Sequence, residues 1–169
     1  MRSTIPLFAA ALAASAPALA LENVPVPGFR SVQLRGGGEI TVRPGPVQRV
    51  TIVEGSRQFT TFRVERNGQL RIDACNYRCP RHYRLRIEIQ SPRVPDLAVS
   101  GGGAIRAAGG FSATAHLSAA VNGGGSIDAS AVDAANVSAA VNGGGEVRYL
   151  GNPQVSMAVR GGWTVRPGS

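Results

Sequence analysis

The amino-acid sequence predicts an all-β chain: right-handed parallel β-helix or β-solenoid-like repeats with a flanking antiparallel β-lobe. Three observations predict it. Glycine runs recur inside near-identical segments, and apolar and polar residues alternate on both sides of them. Aromatic residues make up only 5% of the chain while glycine occurs 22 times, which favours regular burial of small side chains over a thick core. The alternative architecture is a β-sandwich in which each Asn-Gly marks a hairpin turn.

Residues 1–20, MRSTIPLFAAALAASAPALA, have the layout of a cleaved secretory signal. Arg2 gives a positive start, Ile5 to Ala14 an apolar run, and Ala18-Leu19-Ala20 a small-residue exit. The run is too short to span a bilayer, and no later segment is apolar enough to do so. No cysteine follows the cut, so a lipid anchor there is not expected. Residues 21–169 are then expected to form one all-β domain of an exported protein. The net charge of the whole chain is +8, and removal of Arg2 leaves +7; every basic residue is arginine.

Five segments align on the glycine runs: QLRGGGEITV (33–42), AVSGGGAIRA (98–107), AVNGGGSIDA (120–129), AVNGGGEVRY (140–149) and AVRGGWTVRP (158–167). From the second onward the first glycines fall at 101, 123, 143 and 161, so the steps are 22, 20 and 18 residues. Spacing near twenty with glycine corners points to stacked coils over 97–169. Period-two alternation puts Leu97, Ala119, Ala139 and Met157 inward, with Val99, Val121, Val141 and Val159 beside them. Ala98, Ala120, Ala140 and Ala158 face outward, as do Ser100, Asn122, Asn142 and Arg160. Asn122 and Asn142 are expected one above the other, able to form an amide ladder. Arg106, Asp128, Arg148 and Arg166 share one outward position, so parallel stacking sets Asp128 between two arginines. Trp163 replaces the third glycine of the last coil and is expected to cover the open end.

Residues 43–96 form an insert without the glycine corner. VQRVTIVEG reads as a strand, TFRVERNGQLRIDA as a hairpin with a type I′ turn at Asn67-Gly68, and HYRLRIEIQSP as a strand. In the last, Leu85, Ile87 and Ile89 point inward. Cys75 and Cys79 are expected to join as a disulfide, because an exported chain with two cysteines most simply pairs them. A zinc site using both with His82 lacks a second ligand pair, so no metal is expected. From Arg57 to Arg93 the insert carries nine arginines against Glu65, Asp73 and Glu88. Arg78, Arg81, Arg84 and Arg86 are the candidate anion-binding residues, for lipopolysaccharide phosphates or acidic glycans. The bland alternative is a solvated strand face that resists aggregation. Only Tyr77 and Tyr83 lie near for base stacking, so nucleic acid is not an expected partner.

No catalytic constellation emerges. Lysine is absent, His82 and His116 lack a framing nucleophile, and the glycine runs precede no helix pattern that would cradle a phosphate. No cofactor is expected. The competing class is a polysaccharide-active enzyme on a β-helix, which would need carboxylates converging on one groove; a purely structural envelope protein is the third.

FRSVQLRGGGEITV, then IEIQSPRVPDLAVSGGG, then the glycine-cornered repeats together resemble the putative autotransporter adhesin head GIN domain family. The resemblance runs over about 29–168. It implies a bacterial exported all-β protein with a surface or adhesive role, and it carries no catalytic residues to transfer. A membrane-barrel translocator, the other half of a true autotransporter, is not expected in this chain.

Overall fold

The computed structural model describes residues 21–162 and 164–168; the expected signal segment 1–20, Trp163 and Ser169 lie outside the described residues. All regular structure in it is β. The strands are β1 (Glu22–Val24), β2 (Ser31–Gly36), β3 (Glu39–Pro44), β4 (Arg49–Glu54), β5 (Thr61–Val64), β6 (Gln69–Asp73) and β7 (Arg86–Ser91). The repeats follow as β8 (Asp96–Gly101), β9 (Ala104–Ala107), β10 (Thr114–Asn122), β11 (Ser126–Ala129), β12 (Ala134–Asn142), β13 (Glu146–Tyr149), β14 (Gln154–Arg160) and β15 (Thr164–Pro167). They form two mixed sheets, ordered β1-β4-β7-β3-β9-β11-β13-β15 and β14-β12-β10-β8-β2-β6-β5, with no closed barrel.

Each repeat gives one strand to each sheet, and matching strands pair in parallel and in register. Val121 lies opposite Val99 on one side and Val141 on the other. Hairpins at the Asn-Gly pairs would make these neighbours antiparallel, so the hairpin alternative is corrected. The inward residues form continuous files between the sheets. Ile72, Leu34, Val99, Val121 and Val141 make one, and Ile87, Ile40, Ile105, Ile127 and Val147 another; each is at most 2% exposed. Burying one such side chain stabilises by about 1.5–3 kcal/mol. These files hold the two sheets together.

The glycine corner divides its work. Gly123 has φ of +119°, a conformation that side chains disfavour, while Gly125 leaves room for the Val99 side chain of the preceding repeat. Gly124 between them meets nothing within 4 Å.

The insert differs from a flanking antiparallel lobe. β6 and β7 join the two sheets as one more rung, parallel to β2 and β3. The first glycine-cornered segment is therefore held between the insert and the second, because β2 and β3 also pair with β8 and β9. Antiparallel pairing is confined to β1, β4 and β5 at that end of the stack. The hairpin between β5 and β6 is present, but its turn is not type I′. Asn67 keeps a negative φ, Gly68 alone is left-handed, and the Gly68 N–H donates to Glu65 O at 2.9 Å. That is a type I turn over residues 65–68 with a left-handed glycine as its fourth residue.

At the other end no strand among the described residues stacks on β14 and β15. Met157, at an inward position, is consequently 53% exposed.

Candidate functional site

In five rungs a glycine corner joins the strands of the two sheets. Between β6 and β7 the same edge carries a loop of residues 74–85 in place of a glycine corner, and side chains project there. The loop's base is fixed to its neighbours. Ala74 N–H donates to Arg35 O at 2.9 Å, and Leu85, 2% exposed, accepts from Glu39 N–H at 2.8 Å. Tyr83 packs edge-on against Phe59 with ring centroids 5.5 Å apart. Its hydroxyl accepts from Ser56 N–H at 3.0 Å, donates to Ser56 O at 3.1 Å and lies 2.7 Å from Thr60 Oγ1. Asn76 adds two bonds, N–H to Phe59 O and Nδ2–H to Thr61 Oγ1, each 2.9 Å. The Cys75–Cys79 disulfide closes the tip.

The four candidate arginines separate into two groups. Arg86 belongs to β7, where Glu39 at 3.3 Å and Glu54 at 4.0 Å neutralise it. Arg78, Arg81 and Arg84 are exposed on the loop, and no carboxylate pairs with them among the described residues. Arg78 is left-handed at φ 44° and holds its guanidinium 5.3 Å from the Tyr77 ring centre, a cation–π distance. Elsewhere in the insert, Arg57, Arg63 and Arg71 are occupied by Glu22, Glu65 and Asp73. Arg66 and Arg93 of the insert also pair with no carboxylate among the described residues, but on the loop three such arginines stand together above a rigid base.

Asn122 and Asn142 are register partners on the outer face of the seven-stranded sheet, and both are exposed. They sit beside the file Ala98, Ala120, Ala140 and Ala158, which floors a shallow trough of about 530 Å³.

On the opposite face Asp128 does lie between Arg106 and Arg148 in register. Its ion pair with Arg106 is long, 3.9 Å, and Arg148 turns instead to Glu146 on its own strand at 2.9 Å. Glu146 also takes Arg166 at 2.9 Å. Burial pushes the Asp128 carboxyl up, but hydrogen bonds from the Ser130 side chain and backbone, with Arg106 and Arg148, hold it below its ordinary value. Glu146 is lowered chiefly by the Arg148 hydrogen bond, against burial and with help from Arg166. Sequence reasoning passed over Glu146. Its signal was the glutamate directly after the glycine run, present in both QLRGGGEITV and AVNGGGEVRY.

Among the described residues no group of three or more His, Cys, Asp or Glu is placed to hold a metal ion. No helix among them is long and apolar enough to cross a membrane.

The chain resembles solved structures in fold. A putative adhesin from Bacteroides fragilis NCTC 9343 matches at 14% identity and TM-score 0.50, covering 90% of this chain and 98% of that one. A putative cell adhesion protein from Clostridium sporogenes ATCC 15579 matches at 12% identity and TM-score 0.48, covering 88% and 98%. A putative lipid binding protein from Parabacteroides distasonis ATCC 8503 matches at 13% and 0.40, covering 88% and 96%. No curated protein sequence matches. The family described as putative auto-transporter adhesin, head GIN domain, matches residues 28–161, the stretch that holds the insert, its loop and nearly all of the glycine-cornered strands. By that match this chain belongs to the putative auto-transporter adhesin, head GIN domain family.

Proposed function

We propose that this chain is an exported, non-catalytic binding module of adhesin-head type, in which Arg78, Arg81 and Arg84 contact anionic envelope polymers. Lipopolysaccharide phosphates and acidic glycans both offer the required charge. The carrying observation is that these three guanidinium groups have no carboxylate partner among the described residues, while their loop is anchored at its base. Unpaired arginines on a fixed loop meet an anion with little ordering cost. The leader pattern and the Cys75–Cys79 disulfide support export to the periplasm or surface. In this reading the in-register rungs wind as a right-handed β-solenoid, the hand favoured by parallel crossovers, and Asn122 and Asn142 begin an amide ladder.

The enzyme reading has one cleft to recommend it, about 430 Å³, where Glu39, Asp128 and Glu146 line the outer face of the eight-stranded sheet. A glycosidase needs one carboxyl with a raised pKa to protonate the leaving group. Asp128 and Glu146 are both held low, and arginines engage them. That favours charge pairing on this face over acid catalysis.

Retention of residues 21–169 on immobilised lipopolysaccharide and on an acidic glycan, at low and high salt, tests the proposal. Retention is expected to fall with salt and with the triple variant Arg78→Ala, Arg81→Ala, Arg84→Ala. Retention unchanged in that variant overturns the assignment to the loop.

A further inference from the structure

At the edge opposite the glycine corners, where β2, β6 and β8 begin, lies a cleft of about 710 Å³. Its volume falls in the range of small-molecule sites. Arg30 and Arg93 stand in its lining, and neither pairs with a carboxylate among the described residues. We propose that this cleft binds an acidic sugar residue, its carboxylate held by Arg30 and Arg93 and its hydroxyls by Asp96 and Ser91.

The walls are built rather than incidental. The Gln48 side-chain amide accepts from Phe29 N–H at 2.9 Å and donates back to Phe29 O, clamping the residue before Arg30. Arg30 itself donates its N–H to Gly68 O at 2.9 Å and accepts from Asp96 N–H at 3.2 Å. Its side chain lies across Gly68: a Cβ there would stand 2.9 Å from Arg30 Nε. The left-handed φ of +78° calls for glycine at this turn, and the bare residue also lets the arginine side chain lie close over it. On the facing segment Pro92 and Pro95 bracket Arg93 and restrict its backbone. Both arginines thus extend from braced main chain into the lining of one cleft, and the guanidinium fork suits planar recognition of a carboxylate.

The remaining lining selects a sugar over a bare anion. Asp96 contributes a carboxylate whose Oδ1 accepts Ser118 N–H at 3.2 Å and has further acceptor capacity for hydroxyls. It repels a small dianion that would sit equally close to both arginines. Ser91, at the inward position ending β7, is 2% exposed and lines the cleft floor. An acidic sugar presents one carboxylate and several hydroxyls, which matches two cations beside mixed acceptors and donors. This site is separate from loop 74–85 and does not depend on it.

The test is calorimetric titration of residues 21–169 with trigalacturonate, its neutral methyl ester and inorganic phosphate. Trigalacturonate is expected to bind about tenfold or more tighter than the ester or phosphate. The pair Arg30→Ala, Arg93→Ala is expected to remove that preference, while the loop variant Arg78→Ala, Arg81→Ala, Arg84→Ala retains it. Should the double variant lose its cooperative thermal transition, Arg93→Gln alone carries the test, since that side chain is exposed. Equal binding of the ester, equal binding of phosphate, or loss only in the loop variant each overturns the cleft assignment; the last leaves the loop proposal standing.

Discussion

Gly123 lies directly against the main chain of Gly101 in the preceding rung: a Cβ on it would stand 2.8 Å from the Gly101 carbonyl oxygen. Its φ of +119° adds a second reason for glycine. Gly124 has neither constraint. Gly123→Ala is therefore expected to cost about 3 kcal/mol or more, from backbone strain and forced separation of the rungs. Gly124→Ala is expected to stay within about 0.5 kcal/mol of the parent or to stabilise slightly by restricting the unfolded chain. Urea midpoints of the two variants measure the difference. Equal losses would mean that the middle glycine meets something the described residues do not supply.

The disulfide closes only a short loop, so its effect on global stability is small. Joint replacement Cys75→Ser and Cys79→Ser is expected to cost about 2 kcal/mol at most, the loop-closure contribution for so few residues. The tip is exposed while Tyr83 holds the base, so opening is local. Limited proteolysis is expected to speed up between residues 76 and 82 and leave the repeat strands protected. Loss of the entire cooperative transition would mean that the disulfide carries the fold, against this account.

Acid weakens the outer face through Glu146. Its folded pKa is below its ordinary value of 4.5, so the unfolded chain binds the proton more readily. The resulting stability is present above the ordinary value and is lost as pH falls through the lowered one. Glu146→Gln removes both arginine pairs, flattening the acid limb of the stability curve. At neutral pH the cost is expected to be about 1 kcal/mol or less, because both arginine side chains are about half exposed and solvent screens the pairs. Denaturation midpoints taken from neutral pH down to about pH 3, in the range where carboxylates titrate, check this. An unchanged acid limb in Glu146→Gln would assign the sensitivity to other groups.

How much of this was legible follows the range of the interactions. Inward and outward files came directly from alternation, because Val121 and Val141 share a position twenty residues apart and period two admits one choice of face. The Cys75–Cys79 pair was equally local. The position of β2 and β3 between the insert and β8 was not, since a strand's choice among non-consecutive neighbours leaves no periodic mark. The same limit applies to Arg86. It pairs with Glu39 and Glu54, which are 47 and 32 positions away in the chain. Asp128 was in the expected register, but which carboxylate Arg148 would turn to is a rotamer choice, and Glu146 on the same strand is nearer.

The open end of the stack offers the sharpest contrast within one inward file. Leu97, Ala119, Ala139 and Met157 occupy successive rungs; Leu97 is 2% exposed and Met157 is 53% exposed. Leu97→Ala leaves a cavity between two covered rungs and is expected to cost about 2–5 kcal/mol. Met157→Ala removes a side chain already half in water, so its expected cost is about 1 kcal/mol or less. Paired urea denaturation of the two variants at low protein concentration measures the ratio. If Met157→Ala costs as much as Leu97→Ala, the last rung is covered in solution by further protein, and repetition at higher concentration separates the sources. A midpoint that rises with concentration in the parent but not in the variant would identify a second copy as the cover.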